Sequence, residues 1–318
     1  MNRRHFLQQS SLATVVLTSP LIISSVSATS SEKSRKFTMS LDPGAIGVKT
    51  NQKQLIEYAA EYGFEAVTPY ADFLAQISNE ERSNLLDKMQ KTNIGWGVAG
   101  LPVEFRKDED TFRNGLSSLP HLAKGLQKAN VTRVSTWIMP THADLNYLKN
   151  FQQHATRLRE VAKILADHDL RFGLEYVGPT TLRQTKKYAF VHTLEETQAL
   201  IEEIGQKNMG VVLDSFHWFT AEEDVKDILT LSNTDVVAAD LNDAHAGRSA
   251  VEQIDGEREL PMATGLIDTQ AFLDALVTIE FNGPVRAEPF NQTLRDMPDK
   301  QAVATTAKAM QKAFALVE

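Results

Sequence analysis

Short apolar runs alternate with longer amphipathic stretches along the chain from residue 37 onward. The apolar runs, which have the composition of buried strands, cover residues 37–41, 66–70, 95–101, 131–138, 172–176, 211–213, 236–239 and 285–288. The other stretches repeat apolar residues every three or four positions, as one helix face does, over residues 51–62, 80–92, 111–129, 144–168, 194–204, 221–231, 269–279 and 302–317. Strands that alternate with helices predict parallel pairing through helical crossovers. Eight repeats predict a single-domain α/β fold, a closed (β/α)8 barrel over residues 37–318.

The residues at the predicted helix ends support this division. They are of the types that cap helices: Gly63 at a C-terminus, and Ser78 or Asn79, Thr193 and Asp268 at N-termini. A doubly wound open sheet is the alternative arrangement of the same elements. Such a sheet usually carries a glycine-rich phosphate loop after its first strand, and the Asp-Pro-Gly that follows Leu41 does not form one. The closed barrel is therefore the preferred prediction.

The first 28 residues do not belong to the predicted barrel. The pair Arg3-Arg4 precedes a short apolar core, and the stretch closes on Val-Ser-Ala, which has the form of a signal-peptidase site. We expect residues 1–28 to be a twin-arginine export signal, and residues 29–36 to be a flexible polar tether. The protein is then periplasmic or otherwise exported. An N-terminal membrane anchor is the less favoured alternative, because the apolar core is short and Pro20 interrupts it.

Charge and cysteine content narrow the functional classes. The formal net charge is −8, and loss of Arg3 and Arg4 with the signal leaves −10. An acidic chain without a basic run is a poor candidate for binding nucleic acid or an anionic membrane, and no later segment is apolar enough for stable membrane insertion. The sequence contains no cysteine, so an exported form has no disulfides and depends on its core for stability. The oligomeric state stays open, a homo-oligomer included.

Each of the last four predicted strands ends in a carboxylate. These residues are Glu175, Asp214, Asp240 and Glu288. Because the C-terminal strand ends share one mouth in a barrel, we expect the four side chains to converge there. Packed carboxylates repel one another, and a divalent cation relieves the repulsion; oxygen ligands favour Mn²⁺ or Mg²⁺, with Ca²⁺ also compatible. A single aspartate at a strand end more often closes a loop or caps a helix, and that alternative applies to Asp240 or Asp243 taken alone.

The sequence resembles the xylose-isomerase-like superfamily of sugar isomerases and epimerases, which are TIM barrels. The residues that carry the resemblance are Glu175, Asp214-x-x-His217 and Glu288, within segments at residues 173–179, 213–218 and 287–290. The likeness covers nearly the whole chain after the signal, and it is strongest to exported members called sugar phosphate isomerase/epimerases. It implies that these three carboxylates hold a metal together with the strand-seven residue. That residue is Asp240, where the relatives carry histidine, and His245 or a water is the alternative fourth ligand.

Other residues are candidates for holding the substrate. The resemblance implies that His217 contacts it, and that Arg258 takes the place of a substrate-orienting arginine, with Arg248 as a competitor. Ordinary packing or solvation is the alternative for each of the three. Independently of the resemblance, Trp96 and Trp137 on the third and fourth predicted strands are candidate aromatic walls for a sugar, with core packing an equal alternative.

The predicted site suggests a reaction. A carbonyl and an adjacent hydroxyl that share a cation acidify the C–H between them, and a carboxylate can remove that proton. We expect Glu175 and Glu288 to epimerise or isomerise an unphosphorylated sugar or keto-sugar through an enediolate. β-Elimination from a 3-keto-glycoside is the alternative outcome of the same first step, and a non-catalytic sugar-binding barrel is a further alternative. An endonuclease on this barrel would need several histidine ligands and a basic face, which the sequence lacks.

Overall fold

Eleven strands and twelve α-helices make up the computed structural model, which describes residues 34–318. The predicted export signal and residues 29–33 of the predicted tether lie outside the described residues. The strands are β1 (Thr38–Leu41), β2 (Ala66–Val67), β3 (Gly95–Trp96), β4 (Ala99–Gly100), β5 (Arg133–Trp137), β6 (Thr141–His142), β7 (Arg171–Glu175), β8 (Tyr188–Ala189), β9 (Met209–Asp214), β10 (Val236–Leu241) and β11 (Pro284–Ala287). The helices are α1 (Gln52–Tyr62), α2 (Ala71–Gln76), α3 (Asn79–Lys91), α4 (Glu109–Lys128), α5 (Tyr147–Ala166), α6 (Thr180–Arg183), α7 (Leu194–Ile204), α8 (Ser215–Thr220), α9 (Val225–Ile228), α10 (Thr269–Thr278), α11 (Gln292–Arg295) and α12 (Asp299–Phe314), with one 3-10 helix at Ala250–Glu252.

The sheet closes on itself through its third predicted strand. Nine parallel strands follow the order β3-β2-β1-β11-β10-β9-β7-β5-β4, and the two end strands are halves of one run separated only by Gly97 and Val98. The first half pairs with β2 and the second with β5. The backbone N–H of Gly97 continues the first pairing to the Val67 carbonyl at 2.8 Å. The predicted single-domain (β/α)8 barrel is confirmed.

Burial explains why the strands are nearly continuous apolar runs. β9 and β10 are buried over their full length, as expected for parallel strands that have side chains inside the barrel and helices outside it. The predicted caps are confirmed: Gly63 is left-handed with φ 78°, and the side chains of Ser78, Thr193 and Asp268 each accept a backbone N–H in the first helical turn. Within residues 34–318, no helix combines the length and the apolar character needed to cross a bilayer.

The chain departs from the prediction between β9 and β10. The helix predicted over residues 221–231 is reduced to α9, and α8 begins directly at the end of β9. The Asp214 side chain accepts the Phe216 N–H at 2.6 Å, so the residue that ends the strand also caps this helix. The strands β6 and β8, which form a separate antiparallel pair, were not predicted from the sequence. Strands of two residues are too short to show a period in the sequence.

Candidate active site

Four carboxylates meet at the C-terminal mouth of the barrel. Glu175, Asp214 and Asp240 lie at the ends of β7, β9 and β10, and Glu288 follows β11 directly. One oxygen from each lies within 4.8 Å of the others. Strand register contributes to this meeting: Asp240 pairs with Asp214, Glu175 pairs with Val212 two residues before Asp214, and Asp240 also pairs with Arg286 two residues before Glu288. The convergence expected from the strand ends is therefore present in the fold.

Arg258 joins the cluster from the long connection between β10 and α10. Its Nη1 donates to Asp214 Oδ2 at 2.7 Å and to Glu288 Oε2 at 3.1 Å, while Nη2 donates to Asp255 Oδ1 at 2.8 Å. The side chain is only 2% exposed. The competing Arg248 instead pairs with Glu257, away from the cluster. Of the two arginines considered from the sequence, Arg258 is the one at the site.

A second arginine, Arg286, also contacts the cluster and was not predicted from the sequence. Its Nε and Nη2 donate to the two oxygens of Asp240 at 2.5 and 2.9 Å, and its Nη1 donates to Asp42 Oδ2 at 2.7 Å. This bidentate pair partly neutralises the charge of Asp240. A charged residue within an otherwise apolar strand, two positions before Glu288, was the available signal.

Burial and mutual repulsion change the acidity of two glutamates. Burial raises the pKa of Glu175 well above its usual range, and the charges of Glu288, Asp240 and Asp214 raise it further. Burial, which Arg286 opposes, and repulsion by Asp240 raise the pKa of Glu288 to about 8. Glu175 Oε1 is also buried without a hydrogen-bond partner among the described residues. Both glutamates therefore resist ionisation, Glu288 even though Arg258 donates to it at 3.1 Å.

The two aspartates respond differently to the same burial. Burial raises the pKa of Asp240 to about 6 although Arg286 opposes the shift. For Asp214 burial also opposes ionisation, but Arg258 and His217 outweigh it and hold the pKa below its ordinary value. Asp214 is thus the carboxylate that the protein itself keeps charged.

His217 stands beside the cluster as a buried, neutral imidazole. Burial lowers its pKa to about 4, with Asp214 opposing and Arg258 adding to the shift. Nε2 lies 3.2 Å from Arg258 Nη2 and 3.6 Å from Glu175 Oε1. Nδ1 accepts the Gly178 N–H at 3.3 Å. His217 is held in place by the first turn of α8 and by the loop after β7.

The cluster opens into a cavity of about 330 Å³. Its lining consists of Trp137, Met139, Glu175, Val177, Leu182, His217, Asp255, Arg258, Glu288 and Phe290. Trp137 therefore lines the cavity, as expected for an aromatic wall, whereas Trp96 is not among the lining residues. The indole N–H of Trp96 donates to the carbonyl of Ala129 at 2.7 Å, at the C-terminal end of α4. His245 also lies apart from the cluster, where its Nδ1 contacts the Ala246 carbonyl.

Fold and site together define a (β/α)8 barrel with a buried acidic centre at the C-terminal mouth, the usual place for catalysis in such barrels. Residues 56–313 match the family model of the xylose isomerase-like TIM barrel. The chain belongs to the xylose isomerase-like TIM barrel family.

Relatives in this family agree in fold and differ in activity. An inosose isomerase of Bacillus velezensis is 20% identical over 259 residues, which are 80% of this chain and 89% of the relative. A D-psicose 3-epimerase of Ruminiclostridium cellulolyticum is 23% identical over 251 residues, 76% of this chain and 79% of the relative.

Solved structures show the same barrel. A xylose isomerase domain protein from Alicyclobacillus acidocaldarius superposes with a TM-score of 0.77 at 29% identity, covering 88% of this chain and 99% of the other. The IolI protein with a bound zinc atom gives a TM-score of 0.72 at 18% identity, covering 88% of this chain and 98% of the other, and this likeness concerns the fold alone.

Proposed function

We propose that this protein is a metal-dependent isomerase or epimerase of an unphosphorylated sugar or keto-sugar, working by proton transfer. The observation that carries the proposal is the pair Glu175 and Glu288, a buried and a partly buried glutamate with raised pKa values that line one cavity. β9 and β10 separate their strands in the sheet, so the two side chains reach the substrate from different sides of the mouth. The isomerase and epimerase activities of the relatives support the same chemistry.

The residues present fit a divalent cation. Glu175, Asp214, Asp240 and Glu288 offer only carboxylate oxygens, which suit Mn²⁺ or Mg²⁺ better than a soft ion. The buried Oε1 of Glu175 has no hydrogen-bond donor among the described residues, as expected for an atom reserved for a ligand. When bound, the cation would polarise a substrate carbonyl and hydroxyl and stabilise negative charge on them. Asp240 is the fourth candidate ligand, and Arg286 fixes the position of its oxygens.

The chain's own residues then move the proton and hold the substrate. Glu175 or Glu288 removes the proton on carbon next to the carbonyl, and the opposite glutamate returns one to the other face or the neighbouring carbon. Burial raises the pKa of both groups above the usual range of a glutamate, which makes each a stronger base once ionised. His217 and Arg258 line the same cavity and are placed to bind substrate oxygens.

Isotope exchange tests the reaction class. The Mn²⁺-loaded protein would be incubated in D₂O with free ketoses and with 3-keto-glycosides, and the products followed by NMR. Deuterium in the sugar without release of an aglycone is the expected result. Release of the aglycone would instead indicate β-elimination from a glycoside, the second candidate function. A second cavity that shares Trp137 with the first favours this candidate, because it offers room for an aglycone. No exchange and no release with either Mn²⁺ or Mg²⁺ would refute both activities.

Replacement of one glutamate tests the assignment of roles. Glu288→Gln keeps the shape of the side chain but removes its ability to take up a proton, so we expect turnover to fall by about 10²-fold or more while the fold is retained. Circular dichroism and the rate of deuterium exchange measure the two properties. Glu257→Gln changes an exposed glutamate that is paired with Arg248 in the connection between β10 and α10, and it is the matched control. An unchanged rate of deuterium exchange in Glu288→Gln would show that Glu288 does not transfer the proton.

We also propose that the protein is exported through the twin-arginine pathway, on the basis of Arg3-Arg4 and the apolar stretch that follows. Residues 1–36 fused to a folded reporter should deliver it to the periplasm. Replacing both arginines by lysine should retain the reporter in the cytoplasm. Export that is unaffected by this replacement would contradict the proposal.

A further inference from the structure

A second cavity adjoins the one that contains the carboxylates. It measures about 420 Å³ and is lined by Gly100, Leu101, Pro102, Val103, Glu104, Arg106, Ser135, Thr136 and Trp137. Trp137 belongs to both linings, so the two cavities meet at its side chain. The second one extends from β5 toward the chain that follows β4, on the side of the mouth opposite β10 and β11.

Trp137 is exposed and yet firmly positioned. The residue is 40% exposed, although it lies beside a buried acidic centre. Its register partner on the neighbouring strand is Glu175. The guanidinium carbon of Arg106 lies 4.1 Å from the Trp137 ring centroid and 4.3 Å from that of Phe105. An aromatic ring that is held rigid while facing water is a surface suited to a ligand.

Arg106 fixes that ring and also brings polar groups to the second cavity. Its Nη2 donates to Thr136 Oγ1 at 2.8 Å and to the carbonyl of Trp137, and its Nη1 donates to Glu104 Oε1 at 3.1 Å. The Glu104 side chain remains 39% exposed. The charges of Arg106 and Glu104 cancel each other, so the lining has no net charge. It offers hydrogen-bonding groups beside the aromatic face of Trp137. Such a lining suits a neutral, hydroxylated group rather than a phosphate.

We propose that Trp137 separates two sugar subsites, and that the substrate is a two-ring glycoside such as a disaccharide. The reacting ring occupies the cavity with Glu175 and Glu288, and the second ring occupies the cavity beside Arg106. Each cavity is at the small end of the range of about 300–1,000 Å³ that is typical of ligand sites, and together they accommodate a longer substrate. This inference rests on the proposed function, because it assumes that the carboxylate cavity binds a sugar.

Binding measurements test the two subsites without requiring turnover. The Mn²⁺-loaded wild-type protein would be titrated by calorimetry with glucose and galactose, and with cellobiose, maltose, lactose and trehalose. We expect at least one disaccharide to bind about tenfold more tightly than its component monosaccharides. Arg106→Ala should reduce that ratio at least about fivefold, because it removes the group that holds Trp137. Arg113→Ala, which removes another arginine stacked on a phenylalanine but at an exposed position, should leave the ratio unchanged.

Failure of this inference is distinguishable from failure of the proposed function. Equal affinity for monosaccharides and all four disaccharides would overturn the second subsite, as would an equal loss of both affinities in Arg106→Ala. If wild-type protein nevertheless exchanges deuterium into a free ketose, the proton-transfer function stands without the second subsite. If Arg106→Ala does not fold, the wild-type ratio alone decides the question.

Discussion

Two guanidinium groups compensate much of the negative charge at the barrel mouth. Arg258 binds Asp214 and Glu288, and Arg286 binds Asp240. Removing one partner of a buried ion pair is costly, because an uncompensated charge is left in the interior. Before any cation binds, Arg286 thus supplies positive charge that stabilises the acidic cluster in the folded protein.

Replacement of Arg286 tests this compensation. Arg286→Met keeps an extended side chain but leaves Asp240 and Asp42 without their shared donor. We expect the free energy of unfolding to fall by about 3–5 kcal/mol in the absence of a divalent cation. Addition of Mn²⁺ should raise the melting temperature of the variant more than that of the wild type, because the cation replaces the missing positive charge. Thermal unfolding with and without Mn²⁺ measures both effects.

Arg248→Met is the matched control for that experiment. Arg248 also pairs with a carboxylate, but Glu257 is about half exposed and the pair lies outside the cluster, so its loss should change stability by less than about 1 kcal/mol. Equal Mn²⁺ shifts in wild type and Arg286→Met would argue against the compensation.

Residue positions were predictable from the sequence where they depend only on where a strand ends. Glu175, Asp214 and Glu288 follow directly from the ends of apolar runs. The role of Arg286 was not predictable, because its partners come from β10 and from the loop after β1, and only the assembled barrel brings them together. Trp137 could not be distinguished from a core residue until the register placed it beside Glu175.

The long connection between β10 and α10 is the element that completes the site. Asp243 anchors it: its two oxygens accept the backbone N–H groups of Ala244, Thr264, Gly265 and Ile267 at 2.8, 2.8, 2.7 and 3.2 Å. Its own backbone pairs in both directions with Glu259, the residue after Arg258. The loop-closing role considered for a strand-end aspartate thus describes Asp243. The backbone pairing of Asp243 with Glu259 positions the neighbouring Arg258, whose side chain donates to Asp214 and Glu288.

A single replacement at Asp243 should loosen this connection. Asp243→Asn replaces one accepting carboxylate oxygen by an amide N–H₂, which then faces backbone N–H donors without an acceptor. We therefore expect the free energy of unfolding to fall by about 3 kcal/mol. The substrate KM should rise because Arg258 is less well positioned, while the carboxylates that transfer the proton stay in place. Urea denaturation and steady-state kinetics measure these changes. Asp274→Asn, on the exposed face of α10, is the control and should leave both quantities unchanged.

Helix and strand boundaries were predictable in the regular part of the barrel but not in this connection. The caps at Ser78, Thr193 and Asp268 act locally and are visible in the sequence. The course of residues 242–268 instead depends on buried N–H groups that converge on one side chain. Sequence periodicity cannot predict these hydrogen bonds, because the accepting carboxylate of Asp243 and three of the donating N–H groups are about 20 residues apart along the chain.

At the scale of the whole molecule, the barrel closes at one short interruption. β3 and β4 belong to one run, and at Gly97 between them the backbone passes close to β1. A Cβ at this position would lie 2.4 Å from Ser40 Oγ and 3.3 Å from the Val67 carbonyl oxygen. Eight repeats indicated a closed ring from the sequence, but the place of closure depends on this contact between distant segments.

Gly97→Ala should therefore strain the closure of the barrel. We expect the free energy of unfolding to fall by about 1–3 kcal/mol, as in other overpacked interiors, measured by urea denaturation. Gly100→Ala, in β4, is the control, because a Cβ there meets nothing within 4 Å, and its effect should stay within about 0.5 kcal/mol. Ser40→Ala removes the hydroxyl that the new methyl would meet, so the double variant should recover part of the loss. Independent, additive effects of the two changes would show that closure does not depend on the contact between Gly97 and Ser40.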